Sequence, residues 1–126
     1  MKKTMTAAQA DRFIKDYFFE LFEKRNIEAL DQYLHEDYWD DDIGETGVDH
    51  LENSKRYLSN LFQQFPSIRV DVLNSAVEHD VITAYLEWSY KMDSRKVIWK
   101  RGIGIFVLNS NTIIKRHTYI YYSNDE

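Results

Sequence analysis

Arg101 and His117 are residues from which a proton-handling site can be assembled, because they stand in two neighbouring runs of β-branched and aromatic residues. With residues 109–111 as the loop of a hairpin, Arg101 faces Tyr119 and Ile103 faces His117, and odd-numbered residues share one face. On that face a guanidinium is a fixed cation and an imidazole titrates near neutrality, while Trp99 and Tyr121 supply walls that exclude water. Two other readings stand beside this one. A lone histidine in a strand is commonly a hydrogen-bonded structural residue, and aromatic side chains are also the ordinary filling of strands and dimer interfaces.

Two further constellations invite metal chemistry. Asp37, Asp40, Asp41, Asp42 and Glu45 form an acidic run, but it lacks the alternating ligands and following glycine of a calcium loop. His35 and Glu36 begin like a zinc-protease motif, yet position 39 is Trp39 where a second histidine is required. No metal or organic cofactor is therefore expected. Trp39 has two readings, as a lid over the mouth of a cavity or as an anchor that holds its segment to the surface.

The elements that must position these side chains follow from periodicity. Thr6 and Gln9 stand at capping-box spacing, so a helix starts near Ala7, and Phe13, Ile14, Tyr17, Phe18, Leu21 and Phe22 give it a wide apolar stripe. Asn26 can cap a second, shorter helix carrying Ile27, Leu30, Tyr33 and Leu34. Residues 35–47 are polar, acidic and interrupted by two glycines, and read as a loop. A third helix starts between Thr46 and Asp49, keeps Val48, Leu51, Leu58, Leu61, Phe62 and Phe65 on one face, and stops at Pro66.

Beyond Pro66 the period falls to two. Ile68, Val70 and Val72 open a strand, and residues 81–92, 97–108 and 112–122 read as three more, separated by turns at 79–80, 93–96 and 109–111. Three helices followed by four strands imply an α+β fold with the helices on one face of an antiparallel sheet. Gly102 and Gly104, two apart in one strand, free one face for a sharp bend or a close approach.

Bulk properties exclude several classes. The chain of 126 residues fits a single domain, and 44% apolar with 15% aromatic residues is far from the composition of disordered chains. A formal charge of -5 without a dense basic run argues against nucleic acid. Cysteine is absent, so thiolate chemistry is not available. After Met1, Lys2 and Lys3 no apolar h-region follows, nor is there a stretch long enough to span a bilayer, so a cytoplasmic protein without membrane contact is expected.

Three passages carry a resemblance. They are Phe65-Pro66-Ser67-Ile68-Arg69-Val70, Arg101-Gly102-Ile103-Gly104-Ile105-Phe106, and residues 114–122 with His117, Thr118, Tyr119, Ile120, Tyr121 and Tyr122. Together they resemble the SnoaL-like branch of the nuclear transport factor 2-like superfamily, which also holds polyketide cyclases, ketosteroid isomerase and limonene epoxide hydrolase. The resemblance covers nearly the whole chain and implies one domain over 1–126, a cone of three N-terminal helices on a curved four-stranded antiparallel sheet. Enzymatic members usually carry acidic residues on the closing strand, where this chain has Tyr119 and Tyr122.

By resemblance to the epoxide hydrolase, whose second long strand holds an arginine and an aspartate facing the pocket, Tyr85 and Glu87 occupy the matching positions, with Ser89 on the same face. The expected site is then Glu87 and His117 as acid and base. Tyr17, Trp39, Tyr85, Ser89, Trp99, Arg101, Ile103, Tyr119 and Tyr121 would surround the ligand. The opposite face, with Ile82, Ala84, Leu86, Trp88 and Ile120, is the more apolar, and a one-residue slip of register exchanges the two assignments. Two functions remain open. One is a cone that binds a small apolar molecule, with cofactor-independent lyase, isomerase or hydrolase chemistry. The other is a non-catalytic accessory domain that forms a homodimer through its sheet.

Overall fold

The computed structural model describes residues 4–42 and 49–124. The chain runs through α1 (Ala7–Phe18), α2 (Leu30–Tyr33), β1 (Leu34–Asp40), α3 (His50–Gln64), β2 (Arg69–Glu78), β3 (Val81–Met92), β4 (Arg95–Asn109) and β5 (Thr112–Ser123). The capping box is formed: Gln9 N donates to the Thr6 hydroxyl at 3.1 Å and Thr6 N to Gln9 Oε1 at 2.9 Å. The stripe of α1 continues through a π turn, Phe19–Glu23, which rotates Leu21 and Phe22 inward beside Tyr17 and Phe18. Asn26 does not cap the second helix with its side chain, which donates to Glu20 instead. The third helix is capped by Asp49, whose side chain accepts from Glu52 N. Thr46 and Val48, expected at its start, and Glu45 of the acidic run lie outside the described residues.

The sheet has five strands in the order β1-β5-β4-β3-β2, not four, and it is not wholly antiparallel. The additional strand is β1, which falls in the segment read as a loop and runs parallel to β5. Its inward positions are Leu34, Tyr38 and Asp40, all buried. Alternation alone did not betray it because one inward residue is a carboxylate. That residue is stable there only because of a partner 76 positions away.

Turn chemistry sets the registers. Ser110 and Asn111, and likewise Asp93 and Ser94, have positive φ at both central positions (53° and 65°, 51° and 66°), as two-residue hairpins of the primed type require. The last loop is therefore shorter than 109–111, and β4 begins at Arg95 inside the expected 93–96 turn. Irregularities between Val107 and Leu108 and between Arg101 and Gly102 shift the pairing further. Ile103 consequently faces Tyr119, Ile105 faces His117 and Arg101 faces Tyr122, so the expected pairs of Arg101 with Tyr119 and Ile103 with His117 are not made.

The helices cover the even-numbered face. Ile82, Ala84, Leu86 and Phe106 are 0–1% exposed there. Tyr17 and Phe18 set their rings edge-on to Phe106, with centroids 6.2 and 6.0 Å apart. Both glycines serve close approach: a Cβ on Gly102 would stand 2.6 Å from the Tyr119 carbonyl oxygen, and one on Gly104 would stand 2.7 Å from the Phe106 ring. Among the described residues no helix is long and apolar enough to cross a membrane.

Candidate ligand cavity

Between the helices and the inner sheet face lies a cavity of about 380 Å³. Tyr17, Phe18, Leu21 and Phe22 line it from α1 and its π turn, Leu58 and Leu61 from α3, and Trp88, Trp99 and Ile120 from the sheet. Trp99 reaches it through an irregularity. The pairing of β3 with β4 shifts between Trp88 and Ser89, leaving Trp99 as the extra residue, and its ring packs on Phe65 at 4.8 Å.

One end of this apolar space is polar. Parallel pairing of β1 with β5 sets Asp40 opposite Arg116, and Asp41 N donates to the Arg116 carbonyl at 2.9 Å. Arg116 Nη2 donates to Asp40 Oδ2 at 2.9 Å and lies 3.4 Å from Asp42 Oδ2. Asp40 is 4% exposed, and its Oδ1 accepts from Asp42 N at 3.0 Å. Its own N–H donates to Nδ1 of the buried His50 at 3.0 Å. Asp42 Oδ1 accepts from Thr118 N at 3.2 Å. The acidic run is thus held by the basic stretch of β5, since Asp41 pairs with Lys115 at 3.3 Å as well.

The electrostatics follow from burial. Loss of water raises the Tyr17 phenol to about 12, with the nearby Arg116 charge opposing and Asp40 adding to the shift. Burial raises Tyr38 further still, again against the pull of Arg116. Both are therefore neutral O–H donors around neutral pH. Burial works against the Arg116 cation, but Tyr38, Asp40, Tyr17 and Asp42 outweigh it and hold the guanidinium protonated more firmly than in water. Among the described residues Arg116 Nε and Thr118 Oγ1 are buried without a hydrogen-bond partner, and both residues line the cavity. An ion pair under this much cover gains little stability over an apolar replacement.

Of the residues expected around the ligand, Tyr17 and Trp99 line this cavity. Glu87, His117, Trp39, Tyr85, Ser89, Arg101, Ile103, Tyr119 and Tyr121 do not. Glu87 is buried at the back of the sheet, where Lys96 Nζ and Arg101 Nε each approach it at 3.0 Å. The Lys96 contact, opposed by burial and helped by Arg101, lowers its pKa. Tyr85, Tyr119 and Tyr121 are 45%, 58% and 58% exposed on the odd-numbered side. His117 packs edge-on to Tyr119 at 4.3 Å, with its Nδ1 3.3 Å from Asp42 Oδ1. Trp39 is anchored, its Nε1 donating to Asp41 at 2.7 Å and its ring 4.4 Å from that of His50. The Ser89 hydroxyl is buried without a hydrogen-bond partner among the described residues.

The physical reason for the displacement is the choice of face. Assigning the odd-numbered side to the pocket turned Arg116, Thr118 and Lys100 away from it, whereas the inner face is the even-numbered one that the helices cover. Asp40 and Tyr38 were missed because their segment was read as a loop. The signal that could have found them is the match of three consecutive acids, 40–42, to the basic stretch 115–117.

Helices laid over a curved sheet, with an aromatic cavity that has one polar end, define a cone-shaped α+β domain. The chain matches the SnoaL-like domain family over residues 15–117, and it belongs to that family. Similar folds include TsrD from Streptomyces laurentii, at 13% identity over 93% of this chain and 91% of that one, with a TM-score of 0.72. A SnoaL-like polyketide cyclase from Agrobacterium tumefaciens aligns at 12% identity over 92% of each chain, with a TM-score of 0.71. IdmH from Streptomyces antibioticus aligns at 13% identity over 90% and 92%, with a TM-score of 0.72. At these identities the likeness is one of fold. No curated protein sequence matches the chain.

Proposed function

We propose that the cone binds a small, compact, largely apolar molecule bearing a carbonyl oxygen and assists proton transfer on it without a cofactor. The observation that carries this reading is the Arg116 cation, tied to Asp40 and Asp42 yet keeping a buried Nε with no hydrogen-bond partner among the described residues, at the polar end of an aromatic cavity. Arg116 Nε and the neutral phenols of Tyr17 and Tyr38 are donors suited to an oxyanion as it develops. Asp42 is the nearby carboxylate with more freedom, its side chain 32% exposed against 6% for Asp40, and it is assigned the proton-accepting role. Proton abstraction beside a carbonyl, with the enolate held by these donors, is the chemistry such a set supports. That role passes to Asp42 from Glu87 and His117, which stand outside the cavity.

The test is deuterium uptake at the carbon beside the carbonyl of 2-tetralone, followed by NMR in heavy water. Uptake above the buffer rate that disappears in Asp42→Asn, while binding persists, supports the assignment. Binding without any uptake removes the catalytic part of the proposal and leaves a binding domain.

The second reading, an accessory domain that pairs through its sheet, rests on a different observation. Tyr85, Tyr119 and Tyr121 are large and exposed, and Ile103 stands between Tyr85 and Tyr119 across the strands. Light scattering of the wild type and of Tyr119→Lys tests it; a wild-type monomer rules the dimer out.

A further inference from the structure

The cavity wall carries a second cation. Lys100 sits on β4 opposite Trp88, half-buried, with its ammonium 4.3 Å from the centre of the Trp99 ring. It lines the cavity and makes no ion pair among the described residues. The two carboxylates of the cavity lie with Arg116 rather than with Lys100: Asp40 and Asp42 share Arg116, and each also accepts a backbone N–H. Ile120 and Tyr57, 43% and 56% exposed, mark the rim of the opening. The charge pattern of the site is therefore polarised. A compensated cluster with open donors lies at one end, a cation without an ion pair among the described residues lies at the wall beside two indoles, and apolar surface lies between.

We infer that the ligand is a monoanion, a compact aromatic or alicyclic carboxylate whose ring lies against Trp88 and Trp99 and whose carboxylate meets Lys100. The inference rests on the cavity being a ligand site, as proposed above, and adds the charge and orientation of its occupant. A carboxylate there completes Lys100 without disturbing its contact with the Trp99 face, because an ammonium has three donors and the ring occupies one side of it. It also directs the uncharged end of the molecule toward Arg116, Tyr17 and Tyr38. A cationic ligand would meet two cations, and a neutral one would gain nothing from the Lys100 charge.

The test is calorimetric titration of the protein with 2-naphthoate, the neutral 2-naphthalenemethanol and the cationic 2-naphthylmethylammonium at low salt. Each is repeated on Lys100→Met, which keeps the apolar stem over Trp99, and on Ile120→Trp, which sets an indole across the rim of the opening. The expected result is binding of the naphthoate about tenfold tighter than the alcohol, as a charge-assisted hydrogen bond provides. In Lys100→Met that advantage disappears while the alcohol is unaffected, and in Ile120→Trp both ligands are lost. Equal affinity for naphthoate and alcohol in the wild type, or a preference for the ammonium, overturns the charge assignment and leaves the cavity reading intact. Naphthoate binding that survives Ile120→Trp overturns the location. Failure of all three probes to bind overturns this inference and the cavity reading together.

Discussion

Replacing Arg116 by Leu isolates what the buried ion pair contributes. The substitution keeps most of the apolar volume but leaves the Asp40 carboxylate, 4% exposed, with only the Asp42 N–H as a partner among the described residues. Breaking a fully buried pair by removing one partner costs about 3–5 kcal/mol. The Arg116 side chain is 27% exposed, so water partly compensates and the expected cost is about 2–3 kcal/mol. For a domain of this size that lowers Tm by about 10 °C. In the double variant Asp40→Asn/Arg116→Leu the orphaned charge is gone while an amide oxygen still accepts from Asp42 N, so more than half of the lost stability should return. Thermal and urea unfolding of the four proteins of the cycle, followed by circular dichroism, give the coupling energy directly. A single Arg116→Leu variant within about 0.5 kcal/mol of the wild type, or a double variant no more stable than that single one, would refute the reasoning, since no buried charge would then have been left uncompensated.

Three other outcomes follow from the same geometry. Gly102→Ala should destabilise by about 2 kcal/mol, because the new methyl meets the Tyr119 carbonyl at 2.6 Å and backbone cannot rotate aside; urea midpoints check it, and a neutral effect would mean the strands separate freely. Glu87→Gln should cost about 1 kcal/mol at pH 7. The folded-state pKa of Glu87 is depressed, so its contribution is present above the unfolded value of about 4.3 and is lost as pH falls through the folded one; the Tm gap between the two proteins should close below about pH 4. Tyr17→Phe should remove a high-pH step, near 12, from the 295 nm absorbance titration, because the raised phenol keeps its proton in the folded state beyond the ordinary tyrosine range.

Much of the architecture was already legible in residue order. The capping box at Thr6, the stripe through Tyr17, Phe18, Leu21 and Phe22, the break at Pro66 and the change of period after it are local signals. Local signals survive because a helix cap or an apolar face acts through neighbours only a few positions away. The bend implied by Gly102 and Gly104 was equally readable, since a missing side chain matters wherever another chain segment must come close. Even the residues that do the proposed work were conspicuous. Asp40, Asp42, Arg116 and Lys100 are the kind of groups from which a site is made, but a list of charges does not say which of them meet.

That meeting was decided by tertiary structure. Two-residue turns with positive φ and single-residue irregularities at Val107, Arg101 and Trp88 each shift a strand by one position, and one position exchanges the two faces of a sheet. β1 exists as a strand only because β5 pairs with it, and Asp40 can be buried only because Arg116 arrives on that strand. The composition and periodicity of the chain determined a helix-covered, mostly antiparallel sheet with an aromatic interior. Which face became the cavity, and which carboxylate was placed in it, depended on pairings between residues far apart in sequence, whose energies are settled only when both partners leave water together.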